Sequence, residues 1–317
     1  MTGSKPIYDL AGKRVWIAGH RGMVGSAMVR RLAAERCEVL SVTRQDVDLR
    51  RQNDVERWIA DARPNAIVIA AATVGGIVAN ATRPAEFLYD NLAIEINIVE
   101  AARRTGVEKL LLLGSSCVYP RLAPQPMREE ALLTAPLEPT NQWYAIAKIA
   151  GIMLCSAYRL QHGCDFITAM PTNLYGIADN FDLESAHVIP ALIAKAHAAK
   201  VQGKDEIVVW GTGQPRREFL YVDDLADALV FLLQRYSGDQ HLNIGCGYDL
   251  TVRELAETIM RIVGIRVRLR FDVTKPDGAP QKLVDSSRLF AMGWKPSTGL
   301  EEGLRRTYEW YLQNHGG

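Results

Sequence analysis

In the stretch "TNQWYAIAKIAG", Tyr144 and Lys148 stand four positions apart, which puts both on one face of a helix. A phenol can give a proton to a carbonyl oxygen, and an ammonium beside it lowers the phenol's pKa electrostatically. Ser115, at the end of the apolar run "KLLLLGSS", can hydrogen-bond the same oxygen. A tyrosine–lysine pair is cheap in a chain with 11 tyrosines. The strand ending in Ser115 just before it gives the pair its weight.

A second grouping lies in "VWIAGHRGMVGSAM", Val15 to Met28. Gly19, Gly22 and Gly25 follow an apolar run and open a helix, in the pattern G-x-x-G-x-x-G rather than G-x-G-x-x-G. The physics is shared: no Cβ in a tight turn, backbone close to pyrophosphate, and phosphate at a helix N-terminus. The tip of the next strand chooses the cofactor, because NAD sites place an acid there to accept from the ribose 2′-hydroxyl. Here the tip reads Thr43-Arg44-Gln45, with Arg44 19 positions after Gly25. A guanidinium suits a 2′-phosphate through charge-assisted, bidentate bonding. Arg21, on the glycine turn, reaches the same phosphate from the other side, so the cofactor reads as NADP(H). His20 reads as a turn-shaping residue and not a catalyst.

Alternating strands and helices must position these groups. "RVWIAG" reads as the first strand, followed by a helix from Val24 to Glu35 with Val24, Met28 and Leu32 at four-residue spacing. "EVLSVTR", "AIVIAAATVGG", "KLLLLGSS" and "DFITAMPTNLYG" read as the next strands, and the unbroken apolarity of the third fits burial on both faces. The alternation predicts an α/β fold: a Rossmann-type, doubly wound parallel sheet with its ligand beyond the carboxyl ends of the strands. After Asn173 the alternation loosens, and a smaller C-terminal α/β substrate lobe is expected. Residues 1–172 with about 217–247 are assigned to the cofactor domain, and about 173–216 with 248–317 to the lobe. "MTGSKPIYDLAGKR" reads as a short extension before the first strand. Asp223 and Asp224 read as caps of the helix that follows them, not as metal ligands.

The chain has 317 residues, 48% hydrophobic and 23% charged, with a formal net charge of +1. No global basic field points to nucleic acid, so an anionic ligand must be held by a local cluster of cations. No apolar run has the length of a membrane span. The cysteines (Cys37, Cys117, Cys155, Cys164 and Cys246) include no CxxC pair. That fits a reducing cytoplasm, and no metal site is expected. Apart from Cys117 they read as small buried hydrophobes. His162, His197, His241 and His315 have no constellation around them.

From "IAGHRGMVGSA" to "KPDGAPQKLVD" the chain resembles the extended, sugar-nucleotide branch of the short-chain dehydrogenase/reductase superfamily. Within that branch "GHRGMVGSA", "VGGIVAN", "LGSSCVYP", "EPTNQWYAIAKIAG", "MPTNLYG", "SAHVIPALI", "VVWGTG", "REFLYVDD" and "KPDG" together resemble the GDP-L-fucose synthases. The resemblance implies a bifunctional, NADP-dependent enzyme. It would epimerise GDP-4-keto-6-deoxy-D-mannose at C3 and C5 and then reduce C4 to give GDP-L-fucose. It implies Ser115, Tyr144 and Lys148 as the reductase triad, Cys117 as the epimerase base and His187 as the acid. Cofactor contacts are implied at Gly19, Arg21, Gly22, Met23, Val24, Gly25, Arg44, Leu113, Gly114, Ser115, Ser116, Lys148, His187 and the segment Pro171-Thr172-Asn173-Leu174. GDP-sugar contacts are implied at Lys195, Trp210, Arg217 and Asp277. A homodimer is implied through helices near 90–104 and 144–160.

Two positions depart from the common pattern. Gln142-Trp143 stand where other members often have Glu-Pro, and Lys195 stands where an arginine also occurs. An ammonium there cannot grip a phosphate bidentately. The chemistry of the residues agrees with the resemblance. A 4-keto group acidifies hydrogens at C3 and C5, and a thiol and an imidazole with reference pKa values of about 8.5 and 6.5 can exchange protons near neutrality. Rival readings are a related GDP-4-keto-sugar enzyme and a non-catalytic NADPH sensor on the same fold. A 4,6-dehydratase would carry an acidic pair where Ser116 and Cys117 stand, and a UDP-sugar 4-epimerase would favour an acid over Arg44. Trp210 reads either as core or as a stacking surface for guanine.

Overall fold

The computed structural model describes residues 6–315; the first five residues of the expected extension lie outside them. The first half of the chain runs β1 (Arg14–Ala18), α1 (Met23–Leu32), β2 (Glu38–Leu40), α2 (Gln52–Ala62), β3 (Ala66–Ile69), α3 (Ile77–Thr82), α4 (Pro84–Arg104), β4 (Lys109–Leu113), α5 (Gln142–His162) and β5 (Phe166–Pro171). The second half runs β6 (Asn173–Tyr175), α6 (Val188–Gln202), β7 (Glu206–Trp210), β8 (Arg216–Arg217), β9 (Phe219–Tyr221), α7 (Val222–Arg235) and β10 (Leu242–Ile244). It closes with β11 (Leu250–Thr251), α8 (Val252–Val263), β12 (Arg268–Asp272), β13 (Gln281–Lys282), α9 (Ser287–Ala291) and α10 (Leu300–His315).

Six strands pair in the order β10-β5-β4-β3-β1-β2, every pairing parallel. The strand order reverses at β1, whose neighbours are β2 on one side and β3 on the other. A crevice opens at such a reversal beyond the carboxyl ends of the strands. β3, β4 and β5 are buried along their whole lengths, as their apolar runs require. Val15, Ile17, Met28, Leu111, Leu225 and Leu229 fill one face of the sheet beneath α1 and α7. Trp16, Ile59, Ile67, Ile98 and Cys155 fill the other, beneath α2, α4 and α5. A third core joins α6, β7, α8 and α10 through Ile193, Val209, Leu255 and Leu304. The chain returns to the first face through α7 and β10, and again through Leu289 and Trp294.

The predicted strands run longer than the paired ones. β2 stops at Leu40, so Arg44 stands past the strand, in a turn closed by Asp46 N–H and Val47 N–H onto the Thr43 carbonyl. β3 stops at Ile69 and β4 at Leu113, each followed by a further backbone bond, from Ala70 N–H to the Ala18 carbonyl and from Gly114 N–H to the Ala169 carbonyl. Likewise α1 ends at Leu32, short of Glu35.

Asp223 and Asp224 do not cap α7. The capping position is Tyr221, which gives no side-chain bond, and both acids lie inside the first turn. Asp223 pairs with Arg30 at 2.6 Å, and Asp224 accepts from Ser297 N–H, Ser297 Oγ and Thr298 N–H. Each carboxylate finds stronger partners across the fold than its own helix offers, while still complementing the positive helix end.

Candidate active site

The glycine turn links the end of β1 to α1. Gly19 has φ +91°, and a Cβ there would lie 2.6 Å from Ala71 N. A Cβ on Gly25 would lie 2.1 Å from the Gly19 carbonyl oxygen. Only glycine fits either place. Gly22 caps α1 with no side chain, and the first backbone bond onto its carbonyl comes from Ser26 N–H at 2.8 Å. The N–H groups of Met23, Val24 and Gly25 therefore precede the helical ladder and are available to an anion. Arg21 and Arg44 are exposed, and among the described residues neither forms a side-chain hydrogen bond or an ion pair. Unpaired donors, a cradle without Cβ atoms and two free guanidinium groups fit a dinucleotide with an extra phosphate.

At the end of β4, Gly114 approaches Met170 so closely that a Cβ would lie 2.2 Å from its sulfur. Ser115 then caps a 3-10 turn, Ser116–Val118, its hydroxyl accepting from Cys117 N–H at 3.5 Å. Ser116 and Cys117 are buried, and Ser115 is partly open. Tyr144 enters from the first turn of α5, its ring edge-on to Phe87 with centroids 6.5 Å apart. Lys148, one turn on, has its ammonium 5.8 Å from the Tyr144 ring centroid.

The electrostatics correct one expectation. Lys148 donates to Glu95 Oε1 and to the Leu113 carbonyl, each at 2.9 Å. Burial raises the Tyr144 pKa well above its ordinary value; Cys117 and Glu95 add to that, and the Ser115 hydroxyl opposes it. The net direction for the phenol is therefore upward, and the lysine beside it is paired with a buried carboxylate. Glu95 was missed at the sequence level. Its signal was a charged residue on the buried stripe of α4, with Asn91, Ile94, Ile98 and Val99, and such a residue needs a partner.

Burial also raises the Cys117 thiol, against which Lys282, the Ser115 hydroxyl and Lys148 act, in that order. His187 stands at the N-cap of α6 with no capping side-chain bond. The residue is exposed, yet desolvation by the atoms around it, followed by Lys282, holds its pKa below the usual imidazole value. The loop before α6 is tied to the N-terminus of α3 by Gly76 N–H donating to the Ser185 carbonyl at 3.2 Å. Lys282, which no motif singled out, thus faces both groups.

Pro171–Leu174 runs from β5 into β6. Thr172 N–H donates to the Ile244 carbonyl, Asn173 Nδ2 donates to the Glu218 carbonyl, and Leu174 packs on the sheet core. Arg217 on β8 donates to the carbonyls of Arg216 and Asp277, and burial lowers its pKa. Held by carbonyls rather than carboxylate oxygens, it keeps its charge for an anion. Asp277 receives Thr212 N–H and Thr212 Oγ, both at 2.8 Å, so its carboxylate is committed to that turn. Lys195 donates to the Val208 carbonyl at 3.0 Å and lies 5.2 Å from the Trp210 ring, over which Lys275 also sits at 5.3 Å. Trp210 is exposed, which excludes the core reading. No group of three potential metal-ligating side chains occurs among the described residues, and none of their helices is long and apolar enough to cross a membrane.

The NAD dependent epimerase/dehydratase family matches residues 15–245. A GDP-L-fucose synthase of Sinorhizobium fredii is 58% identical over 309 residues, covering 98% of both chains. GDP-L-fucose synthase 1 of Arabidopsis thaliana is 57% identical over 95% of this chain and 94% of its own. The chain belongs to the GDP-L-fucose synthase family. Among solved structures, a GDP-L-fucose synthetase of Naegleria fowleri bound to NADP superposes with a TM-score of 0.89 at 27% identity, over 99% of this chain and 98% of that one. Both the extended short-chain dehydrogenase/reductase fold and the NADP(H) cofactor read from Arg21 and Arg44 stand with these relatives.

Proposed function

We propose that the protein converts GDP-4-keto-6-deoxy-D-mannose to GDP-L-fucose, inverting C3 and C5 and then reducing C4. The observation that carries this reading is one cleft end shared by Ser115, Cys117, Tyr144 and Lys148, with His187 reached through Lys282. A simple ketone reductase needs no thiol and imidazole beside its phenol.

The 4-keto group withdraws electrons from both neighbouring carbons. The Cys117 thiolate takes the proton at C3 or C5, and His187 returns one to the opposite face, so that the carbon inverts with no net change in protons. Bound NADPH supplies the hydride for C4. Tyr144 gives its phenolic proton to the C4 oxygen while Ser115 holds that oxygen, and solvent restores the proton. Arg217, Lys195 and Lys282 supply the cations for the diphosphate, and the exposed Trp210 a face for the base.

Two finer features belong to the same proposal. Trp143, Ile146, Met153 and Leu160 stand exposed along α5, with Tyr89 and Ile96 on the adjoining α4. Spacings of three and seven residues align them in one stripe, which a second copy of the chain would cover to form a homodimer. The five cysteines are free and scattered, which supports a reducing, cytoplasmic setting.

The test is incubation with GDP-4-keto-6-deoxymannose and NADPH, followed by NMR of the sugar. GDP-L-fucose is expected. NADPH oxidation with a product not inverted at C3 and C5 would overturn the bifunctional reading, and no oxidation at all would overturn the reductase.

A further inference from the structure

Lys148 and Glu95 form an ion pair at 2.9 Å in which each side chain is only 2% exposed. Charges in such a place are costly unless well paired, and this pair is incompletely bonded. Glu95 Oε1 takes the ammonium, while Oε2 has no hydrogen-bond partner. Oε2 lies against Gly151 of α5, where a Cβ would come within 2.1 Å of it. Helix α5 therefore carries both the lysine and the gap that admits the carboxylate. A buried ion pair that served stability alone could be replaced by apolar packing with little loss. This one lies one helical turn from the reacting phenol.

We propose that Glu95 is a positioning residue for the reduction: its carboxylate holds the Lys148 ammonium against the end of β4 and offsets its charge, so that Tyr144 remains a phenol with a proton to give. The inference rests on the reductase reading of Tyr144 and Lys148 above. Reduction of a ketone needs a proton donor at the moment the hydride arrives. An uncompensated ammonium beside the phenol would favour phenolate, which cannot donate. Glu95 removes that bias and keeps the lysine in place.

The groups around the pair come from every element packed on it. Helix α4 contributes Glu95, and α5 contributes Tyr144, Lys148 and Cys155. The turn after β4 contributes Ser115 and Cys117, and Lys282 of β13 bears on Cys117. Burial raises the Cys117 and Cys155 thiols and also the Glu95 carboxyl, which Lys148 pulls back down. Of these groups, Glu95 is the carboxylate that accepts directly from Lys148.

The experiment is the pH profile of C4 reduction in the full protein and in Glu95→Gln, which keeps the shape and removes the charge. Loss of the negative charge that raises Tyr144 lowers the pKa of the phenol. The alkaline limb of kcat is expected to move down by about one pH unit, with a deficit of about tenfold at the alkaline end that recovers as the pH falls. Deuterium uptake at C3 and C5, which uses Cys117 and His187, is expected to stay within about twofold of the parent. Gly151→Ala, whose methyl displaces the carboxylate without removing it, is expected to move the limb the same way by less.

A second readout needs no turnover. Tyrosinate absorbance, taken as the difference from Tyr144→Phe in each background, should appear at lower pH in Glu95→Gln. A kcat lowered equally at all pH values, with the limb and the tyrosinate titration unmoved, would reduce Glu95 to a structural residue and overturn the proposal. If the parent reduces no ketone, the reductase reading fails by itself, and the tyrosinate titration still decides the role of Glu95.

Discussion

Lys282 pairs in register with Arg217 across the parallel strands β13 and β8, and its ammonium bears on both Cys117 and His187. In the proposed function this cation would serve both the diphosphate end and the proton-exchange end of the cleft. Removing it raises the pKa of every neighbour. In Lys282→Gln, both limbs of the pH profile for deuterium uptake at C3 and C5 should move to higher pH, by about one unit. The profile is measured by NMR in buffered D₂O. Unmoved limbs would leave Lys282 as a diphosphate contact alone.

Cys117 and Tyr144 should separate the two half-reactions. Cys117→Ser keeps the size but places the side-chain pKa out of range, so deuterium uptake should collapse while NADPH binding persists. Direct C4 reduction of the unepimerised ketone should continue and give a GDP-6-deoxyhexose of mannose configuration at C3 and C5. Tyr144→Phe should slow reduction by about 100-fold or more, in line with general-acid contributions, and leave uptake in place. NMR of both products in D₂O checks the pair. Loss of both activities in either variant, with the cofactor still bound, would mean that one residue serves both steps.

Arg44→Ala should weaken NADPH and spare NADH. A hydrogen bond to a charged group contributes about 1.5–3 kcal/mol, which corresponds to a rise of about 10- to 150-fold in KM for NADPH. Steady-state kinetics with both cofactors measures it. Equal use of the two cofactors by the unmodified protein would remove Arg21 and Arg44 from the choice.

The path to these residues was unevenly legible. The glycine turn, the parallel sheet and the Tyr144–Lys148 spacing could be read because each depends on a short stretch and its neighbouring elements, and Ser115 marked the end of a strand. Strand length could not, since β-prone or apolar residues continue past Leu40 and Ile69 while the strand pairing ends. Glu95 and Lys282 escaped for another reason. Their partners, Lys148 and Arg217, lie on other elements more than 50 residues away along the chain, and helical or strand period carries no information across such a gap. The counter-ion of a buried lysine becomes visible only once α4 and α5 are packed together. Asp223 and Asp224 show the same limit: local chemistry favoured a cap, and distant partners won.

The exposed stripe on α5 predicts an assembly. Met153→Glu places a charge in the middle of Trp143, Ile146 and Leu160. The parent should sediment as a dimer and the variant as a monomer at micromolar concentration, by analytical ultracentrifugation. A parent that stays monomeric at high concentration would leave the stripe without its proposed occupant.

Helix α5 has a second consequence. Trp143 on the outer surface and Tyr144 on the inner one are consecutive residues, and Ile146 stands between Tyr144 and Lys148. Two seams interleave along one rod, so a roll that improved the fit of one would misaim the other by the same angle. In the proposed homodimer, substitutions drifting into the outer seam would thereby be screened by turnover as well as by assembly. The helix can trade side chains on either surface, but its azimuth is fixed for both.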